Sequence, residues 1–440
     1  MSSPADQLIE LLRQQAHAAY IGEPVNQLEH ALQCAALAQE AGADEPLILA
    51  ALLHDIGHIC DPRAEPMGKV GVLHHEHIGA EYVRSMGLTA EIATLIENHV
   101  NAKRYLVQRS NEYAAKLSSA SIETLGYQGG PMSVAEAAEF EQVPLFQDFL
   151  RLRAWDEAAK VPATSVLDVE RVRAMLRRNL ARPLSEGQLR SWREQGYLRI
   201  SDWFSTTEVA ALQGCVEGLQ ALPETPGKWM KYYEPGKAGK QLCRIENFLA
   251  YNSQMRQVLT SKPTLALLAA LFGEPACLYK EKVNFKLPGG NGFKAHQDAP
   301  AFTTFGQDYH ITMMLSFDAT TPENGCLEVV PGAHQRGLLA MEPDLTLSPA
   351  EVEQLTWVPV PTAPGDILLF DSFLPHRSHS NTTNRARRAL YATYNRLRDG
   401  DVRHLYFEQK RAAFPPDVER VPGRTYDAGV FNIGNPVTTD

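Results

Sequence analysis

With 440 residues, the chain is long enough for two or three domains with cores of their own, and its 44% hydrophobic and 21% charged residues are those of an ordinary globular protein. A formal net charge of −10, with no basic stripe interleaved with aromatics, argues against nucleic acid as a partner. The six cysteines (Cys34, Cys60, Cys215, Cys243, Cys277 and Cys326) form no C-x-x-C pair, which argues against a disulfide framework and a thiolate zinc site. Residues 1–20 show no signal-peptide pattern and no apolar run approaches transmembrane length. The expectation is a cytoplasmic protein with no membrane partner, its oligomeric state left open.

Residues 1 to about 180 read as almost wholly helical, with apolar residues at helical spacing. Residues 1–20 begin an amphipathic helix. Gly22-Glu23-Pro24 starts the helix that carries His30, with Pro24 at a first helical position. Ala50 to Ile59 is expected to be one helix, on which His54 and His58 share a face while Asp55 points about 100° away. Gly68–Gly71 is a loop, followed by His74-His75-Glu76-His77. Glu91 to Tyr105 is a helix bearing His99 and, one turn on, Lys103. Gly126–Pro131 is a loop, and a last long helix carries Arg153 and Asp156.

His30, His54, Asp55, His75, His99 and Asp156 supply four imidazoles and two carboxylates from separate helices. That is enough to hold two metal ions if one carboxylate bridges them. His74 and His77 compete with His75 for the third histidine position.

Ala181-Arg182-Pro183 breaks the helical pattern, and the expected division is 1–182 and 183–440. Leu184 to Gly196 is a fresh amphipathic helix. From Ala276 onward alternation dominates. In Cys277–Leu287, Lys280, Lys282, Asn284 and Lys286 fall on one face and Tyr279, Val283, Phe285 and Leu287 on the other. That polar face either meets an anion or is simply solvated. Ile311–Phe317, Leu327–Val330, Asp366–Phe370 and Ala389–Tyr394 are further strands, and short strands with Pro/Gly turns suggest a jelly roll. His296 and Asp298, two residues apart on a strand, with a distant histidine, make the two-His-one-carboxylate set of non-haem iron(II) oxygenases.

The first 160 residues or so resemble the HD-domain superfamily, through the His54-Asp55 dipeptide and the H-E-x-x-G-A run from His75 to Ala80. Within it they look most like the mixed-valent di-iron oxygenases that cleave 1-hydroxylated aminoalkylphosphonates. The resemblance implies an Fe(II)/Fe(III) pair. His30, His54, Asp55 and Asp156 would hold one iron, and Asp55 would bridge to a second held by His75 and His99. His58, Lys103, Ser121 and Arg153 would form the phosphonate pocket, with His58 and Lys103 also counted among the catalytic groups. Tyr20 and Glu23 would form a lid. The rival within the superfamily is a metal-dependent phosphohydrolase or a regulatory module.

Everything after about residue 184 resembles the phytanoyl-CoA dioxygenase family. The likeness rests on the Leu184–Ser205 opening, Leu327 to His334, and Pro375-His376-Arg377-Ser378 through Asn381 to Arg387. It implies Fe(II) on His296, Asp298 and His376, with His379 as the alternative distal ligand. Arg387 would grip 2-oxoglutarate, with Arg385 and Arg388 as substitutes, and Lys282 and Asn284 are placed with the cofactor. Lys282 to Gly290 and His296 to Ala301 look most like the aminoalkylphosphonate hydroxylases. Together the halves imply a bifunctional oxidoreductase for a small phosphonate, using O2 twice: hydroxylation of C1, then oxidative scission of the carbon–phosphorus bond. An aromatic cage from Tyr20, Tyr105, Tyr113 and Tyr127 would favour a trimethylammonium substrate over the primary amine.

Overall fold

Pro46 to Leu53 is apolar at every position, so the helix it forms has no face to offer water and must be surrounded. The computed structural model describes residues 3–14, 25–161, 168–236, 239–426 and 429–433, and the chain divides into two compact units, Met1–Arg182 and Pro183–Asp440.

In the first unit the described elements are α1 Pro4–Gln14, α2 Gln27–Glu40, α3 Glu45–Leu53, α4 His75–Ser85, α5 Ala90–Arg109, α6 Asn111–Lys116, α7 Ser119–Tyr127, α8 Val134–Phe140, α9 Phe146–Ala158 and α10 Val169–Arg178. Asp44 caps α3 by accepting from Leu47 N, and α2, α5 and α9 pack around it. Burying Leu47, Ile48, Leu49, Leu52 and Leu53 stabilises the unit by about 1.5–3 kcal/mol per side chain. The helix bearing His30 starts at Gln27 rather than at Pro24. Asn26 and Glu29 form its capping box, a reciprocal pair of side-chain-to-backbone bonds. Pro24 itself lies outside the described residues.

The expected single helix from Ala50 to Ile59 is broken. α3 stops at Leu53, His54 is its cap, and Ile56–His58 is a separate 3-10 turn. His54 and His58 therefore do not share a helix face. The reason is packing: a Cβ on Gly57 would lie 1.9 Å from the backbone oxygen of His75, so the glycine lets the turn press against the start of α4. The break swings Asp55 into the space between helices.

In the second unit, α11 Glu186–Gln195 ends on Gly196 in the left-handed region, as its sequence predicts. The strands are β1 Tyr197–Ile200, β2 Met230–Gly236, β3 Gly239–Glu246, β4 Ala276–Lys286, β5 Phe293–His296, β6 His310–Ser316, β7 Leu327–Val329, β8 Val358–Val360, β9 Ile367–Asp371, β10 His376–Ser378 and β11 Arg387–Arg396. Among the described residues they form a seven-stranded sheet, β1-β9-β6-β11-β4-β3-β2, and a four-stranded sheet, β5-β10-β7-β8, all antiparallel. This is the expected double-stranded β-helix. β2 carries Pro235 and charged residues and gives no strand signal. It is tolerated because it is an edge strand.

The apolar face of β4, with Val283 and Phe285, packs with Val216, Leu267 and Leu268 of the covering helices. The face bearing Lys280, Lys282 and Asn284 looks inward at the cavity shared with His296 and His376. The solvated alternative is thereby overturned: Asn284 is 4% and Lys286 3% exposed.

Candidate active sites

Four imidazoles of the first unit are anchored in the same way. His30 Nδ1 donates to Ala159 O (2.9 Å), His54 Nδ1 to Ala51 O (2.9 Å), His75 Nδ1 to Val72 O (3.3 Å) and His99 Nδ1 to Ile96 O (2.6 Å). A carbonyl only accepts, so each Nδ1 carries the proton and each Nε2 presents a lone pair. The lone pairs converge. His30 and His54 bring their Nε2 atoms to 3.3 Å, and His75 and His99 to 3.1 Å.

Asp55 stands between the two pairs. Its Oδ2 lies 3.4 Å from His54 Nε2 and 3.9 Å from His30 Nε2, and its Oδ1 lies 3.6 Å from the Nε2 of both His75 and His99. Asp156 Oδ1 joins the first pair, 3.4 Å from His30 and 3.8 Å from His54. Each oxygen of Asp55 thus faces one imidazole pair, and this donor set suits divalent iron, manganese or zinc. The electrostatics show the same want of a cation. Burial opposes charge on His54, but Asp55 and Asp156 outweigh it and raise its pKa to about 9, so a proton takes the Nε2 lone pair where no metal competes for it. Burial, aided by His54, pushes His99 down to about 4. His74 and His77 are ruled out by exposure, at 69% and 61%, so His75 is the histidine brought to the cluster.

Beside the cluster opens a cavity of about 300 Å³ reached by His58, Lys103, Ser121 and Arg153. His58 Nδ1 accepts from Val72 N (3.1 Å), which leaves its proton on Nε2. Its ring stacks on His75, with centroids 4.0 Å apart, where Gly71 at φ +126° leaves room for it. Lys103 donates to Thr124 Oγ1 (2.9 Å) and is pushed down to about 7 by burial and the Arg153 charge. Arg153 bonds Tyr113 (2.8 Å) and also Asp156 and Glu157, so its guanidinium is held in one orientation. Despite burial, Arg153 and the histidines keep Asp156 well below the usual carboxylate range.

Thr124 carried no sequence signal and Tyr113 entered only as a cage candidate, because a hydroxyl that orients a lysine or arginine shows no spacing. Nor did Cys34, whose Sγ lies 3.6 Å from His30 Nε2, although its place one turn after His30 was visible. Tyr20 and Glu23 lie outside the described residues. The other three tyrosines do not form a cage. Tyr105 packs against Phe140 and Phe146, Tyr113 bonds Arg153 and Glu157, and Tyr127 is half exposed.

In the second unit, His296 and His376 are register partners on β5 and β10, with ring centroids 4.2 Å apart. Their Nδ1 atoms donate to Lys294 O (2.7 Å) and Leu374 O (3.0 Å), again freeing both Nε2 atoms. Asp298 Oδ1 lies 3.9 Å from His296 Nε2 and 4.0 Å from His376 Nε2. β5 ends at His296, so Asp298 sits just beyond the strand rather than on its face. Thr312 Oγ1 orients it by donating to Oδ2 (3.3 Å). Burial, with His376, pushes His296 down to about 3, a neutral ligand at any working pH.

Arg387 is 1% exposed and gives one hydrogen bond to Tyr391 Oη (3.3 Å), and its Nε has no partner among the described residues. A buried guanidinium with a donor to spare fits a carboxylate ligand. The substitutes fall away: Arg388 is paired with Asp318, and Arg385 is exposed. His379 is 61% exposed and faces Glu328.

Two facing sheets enclosing an H-x-D…H triad, with a buried arginine nearby, define an oxidoreductase of the iron- and 2-oxoglutarate-dependent oxygenase class. The Phytanoyl-CoA dioxygenase model matches residues 192–389 and the HD domain model matches residues 28–123. The chain belongs to the phytanoyl-CoA dioxygenase family through its second unit, and carries an HD domain in its first.

Among its relatives, the 2-aminoethylphosphonate dioxygenase of an uncultured bacterium is 42% identical over 58% of this chain and 98% of its own length. The methylphosphonate hydroxylase of Gimesia maris is 43% identical over 52% of this chain and 88% of its own. The [1-hydroxy-2-(trimethylamino)ethyl]phosphonate dioxygenase (glycine-betaine-forming) of Leisingera caerulea is 42% identical over 32% of this chain and 72% of its own. No described helix is long and apolar enough to cross a membrane.

Proposed function

We propose that the chain is a bifunctional phosphonate-degrading enzyme. The second unit hydroxylates C1 of 2-aminoethylphosphonate with 2-oxoglutarate and O2, giving succinate and CO2. The first unit converts the 1-hydroxy product and a second O2 into glycine and phosphate. The observation that carries this reading is Asp55, with one oxygen turned to each imidazole pair. A single-metal phosphohydrolase has no use for that arrangement. The relatives' names point the same way, a phosphonate hydroxylase for one half and a hydroxyphosphonate dioxygenase for the other.

When bound, an iron on His296, Asp298 and His376 and an iron pair on the Asp55 cluster supply the O2 chemistry of the two steps. The chain's own residues bind and orient. Arg387 takes the far carboxylate of 2-oxoglutarate, bidentate and shielded from water. In the first unit Lys103, Arg153 and Ser121 take the phosphonate oxygens, and the His58 Nε2 proton donates to the same group. Arg153 couples this pocket to the metal cluster, since it also grips Asp156. Tyr105, Tyr113 and Tyr127 do not converge on a cage in the first unit, which favours a primary ammonium over a trimethylated one there.

Phosphate release from a small phosphonate panel, with and without O2 and 2-oxoglutarate, tests the reading. The parent phosphonate should release phosphate only with both, and the 1-hydroxyphosphonate with O2 alone. Anaerobic release from the hydroxy compound would make the first unit a hydrolase.

A further inference from the structure

The inward face of β4 divides into two electrostatic neighbourhoods. At one end Lys286 is the register partner of Arg387 and feels its charge. Lys286 Nζ is spent on Ser378 Oγ (2.8 Å), His379 O (2.5 Å) and Gly325 O (3.3 Å). At the other end, six residues or about 20 Å away, Lys280 pairs with Thr393, and the charges acting on it are Asp298, Glu246 and Arg244.

Glu246 at this end is already satisfied. It accepts from Lys410 Nζ at 2.6 Å on both oxygens and from Arg244 at 3.2 Å. Set against Glu246 and Asp298, the cations Arg244, Lys280 and Lys410 leave a net positive charge beside the triad. Lys280 has no hydrogen bond or ion pair among the described residues. Its Nζ rests 4.1 Å from the ring centroid of Phe302 and 5.3 Å from that of Tyr406, and it lines the cavity that His296, Asp298 and His376 share. Arg244 is 3% exposed and its Nε has no partner among the described residues; directly opposite it in register stands Asn284, whose Oδ1, an acceptor, is likewise open there. The two open donors, Lys280 Nζ and Arg244 Nε, call for a ligand with several acceptor oxygens.

We infer that Lys280 and Arg244 form the cradle for the substrate's phosphonate in the second unit, at the end of the cavity away from Arg387. The inference rests on the proposed phosphonate hydroxylation. A phosphonate dianion suits this net positive charge, and guanidinium and ammonium are the donors such oxygens take most strongly. Holding the phosphonate there leaves the adjacent C1 beside the triad, while 2-oxoglutarate is held from the Arg387 end. Lys282 lies between the two, its Nζ 5.5 Å from the ring of Tyr391, whose hydroxyl Arg387 bonds.

The test is succinate formation by the full iron-loaded chain carrying Lys280→Gln. The KM for 2-aminoethylphosphonate should rise about tenfold or more, the loss of one charge-assisted bond (tenfold being about 1.4 kcal/mol). The KM for 2-oxoglutarate should stay within about twofold of wild type, and Lys280→Arg should recover most of the loss. An independent readout is the visible charge-transfer band of the anaerobic iron–2-oxoglutarate complex. It should form at the same oxoacid concentration in Lys280→Gln, yet need about tenfold more phosphonate to be perturbed. An unchanged phosphonate KM beside an active wild type overturns the cradle alone. A rise in the 2-oxoglutarate KM, or a weakened band, overturns it by assigning Lys280 to the oxoacid. A wild type that makes no succinate with any aminoalkylphosphonate overturns the functional reading and the cradle with it. Should Lys280→Gln not fold, Arg244→Gln reads the same split.

Discussion

His75 and His99 hold their Nε2 atoms 3.1 Å apart, and each ring is locked there by an Nδ1 bond to a backbone carbonyl. Two lone pairs at that separation repel unless a cation lies beside them, so the cluster is an arrangement that metal stabilises. Chelation should therefore lower the melting temperature of the first unit. At a thousandfold excess over Kd, bound metal adds about 4 kcal/mol. Calorimetry with and without chelator reads this, and metal analysis of the holoprotein should find about three irons per chain. Zinc, or an unmoved transition, would count against the assignment.

Separate ligand sets predict separable activities. His54→Ala should abolish phosphate release while succinate still forms and 1-hydroxyphosphonate accumulates, followed by phosphorus NMR. His296→Ala should stop turnover of the parent phosphonate while added hydroxyphosphonate is still cleaved. Loss of both activities in a folded single variant would refute independent sites.

Gly57 carries a structural prediction with a chemical readout. A methyl group there meets the backbone oxygen of His75 at 1.9 Å and Gly79 N at 2.9 Å, so α4 must shift. Gly57→Ala should cost about 1–3 kcal/mol of stability, the usual toll of overpacking. Because His75 opens α4, iron should be lost from the His75–His99 side first, visible as a changed Mössbauer ratio.

Arg387→Met removes a buried guanidinium and leaves nothing to meet the far carboxylate. The KM for 2-oxoglutarate should rise about 10- to 100-fold, with that for the phosphonate much less affected. Equal rises in both would place Arg387 in general packing instead.

Acid should weaken the second unit through Glu246. Burial alone would raise its pKa, but Lys410 and Arg244 hold it down to about 2. A depressed carboxylate contributes its stability above the unfolded pKa of about 4.5, and that contribution is lost as pH falls through about 2. The term is roughly 3 kcal/mol. The double variant Glu246→Gln/Lys410→Met should show a flatter acid limb in urea unfolding, and an unchanged limb would argue against the pair.

The amino-acid sequence by itself determined the two-part architecture, most helices and core strands, and the residue types that gather at both sites. Histidine and carboxylate spacing and apolar periodicity are local properties of the chain, which is why His30, Asp55, His99 and His296 could be picked out before any fold was known; Arg387 came from the family resemblance alone. Only the tertiary structure decided how they meet. Nothing local says that α3 ends at Leu53: the break comes from the fit of Gly57 against α4, and it is what turns Asp55 between two imidazole pairs. The H-E-x-x-G-A run favours His75 by family resemblance, but no spacing separates it from His74 and His77, because burial is decided by the helix packed opposite. The polar face of β4 reads alike as solvated or functional until a second sheet closes over it. The Glu246–Lys410 pair joins residues 164 positions apart, and pairing at that distance leaves no period in a sequence to read.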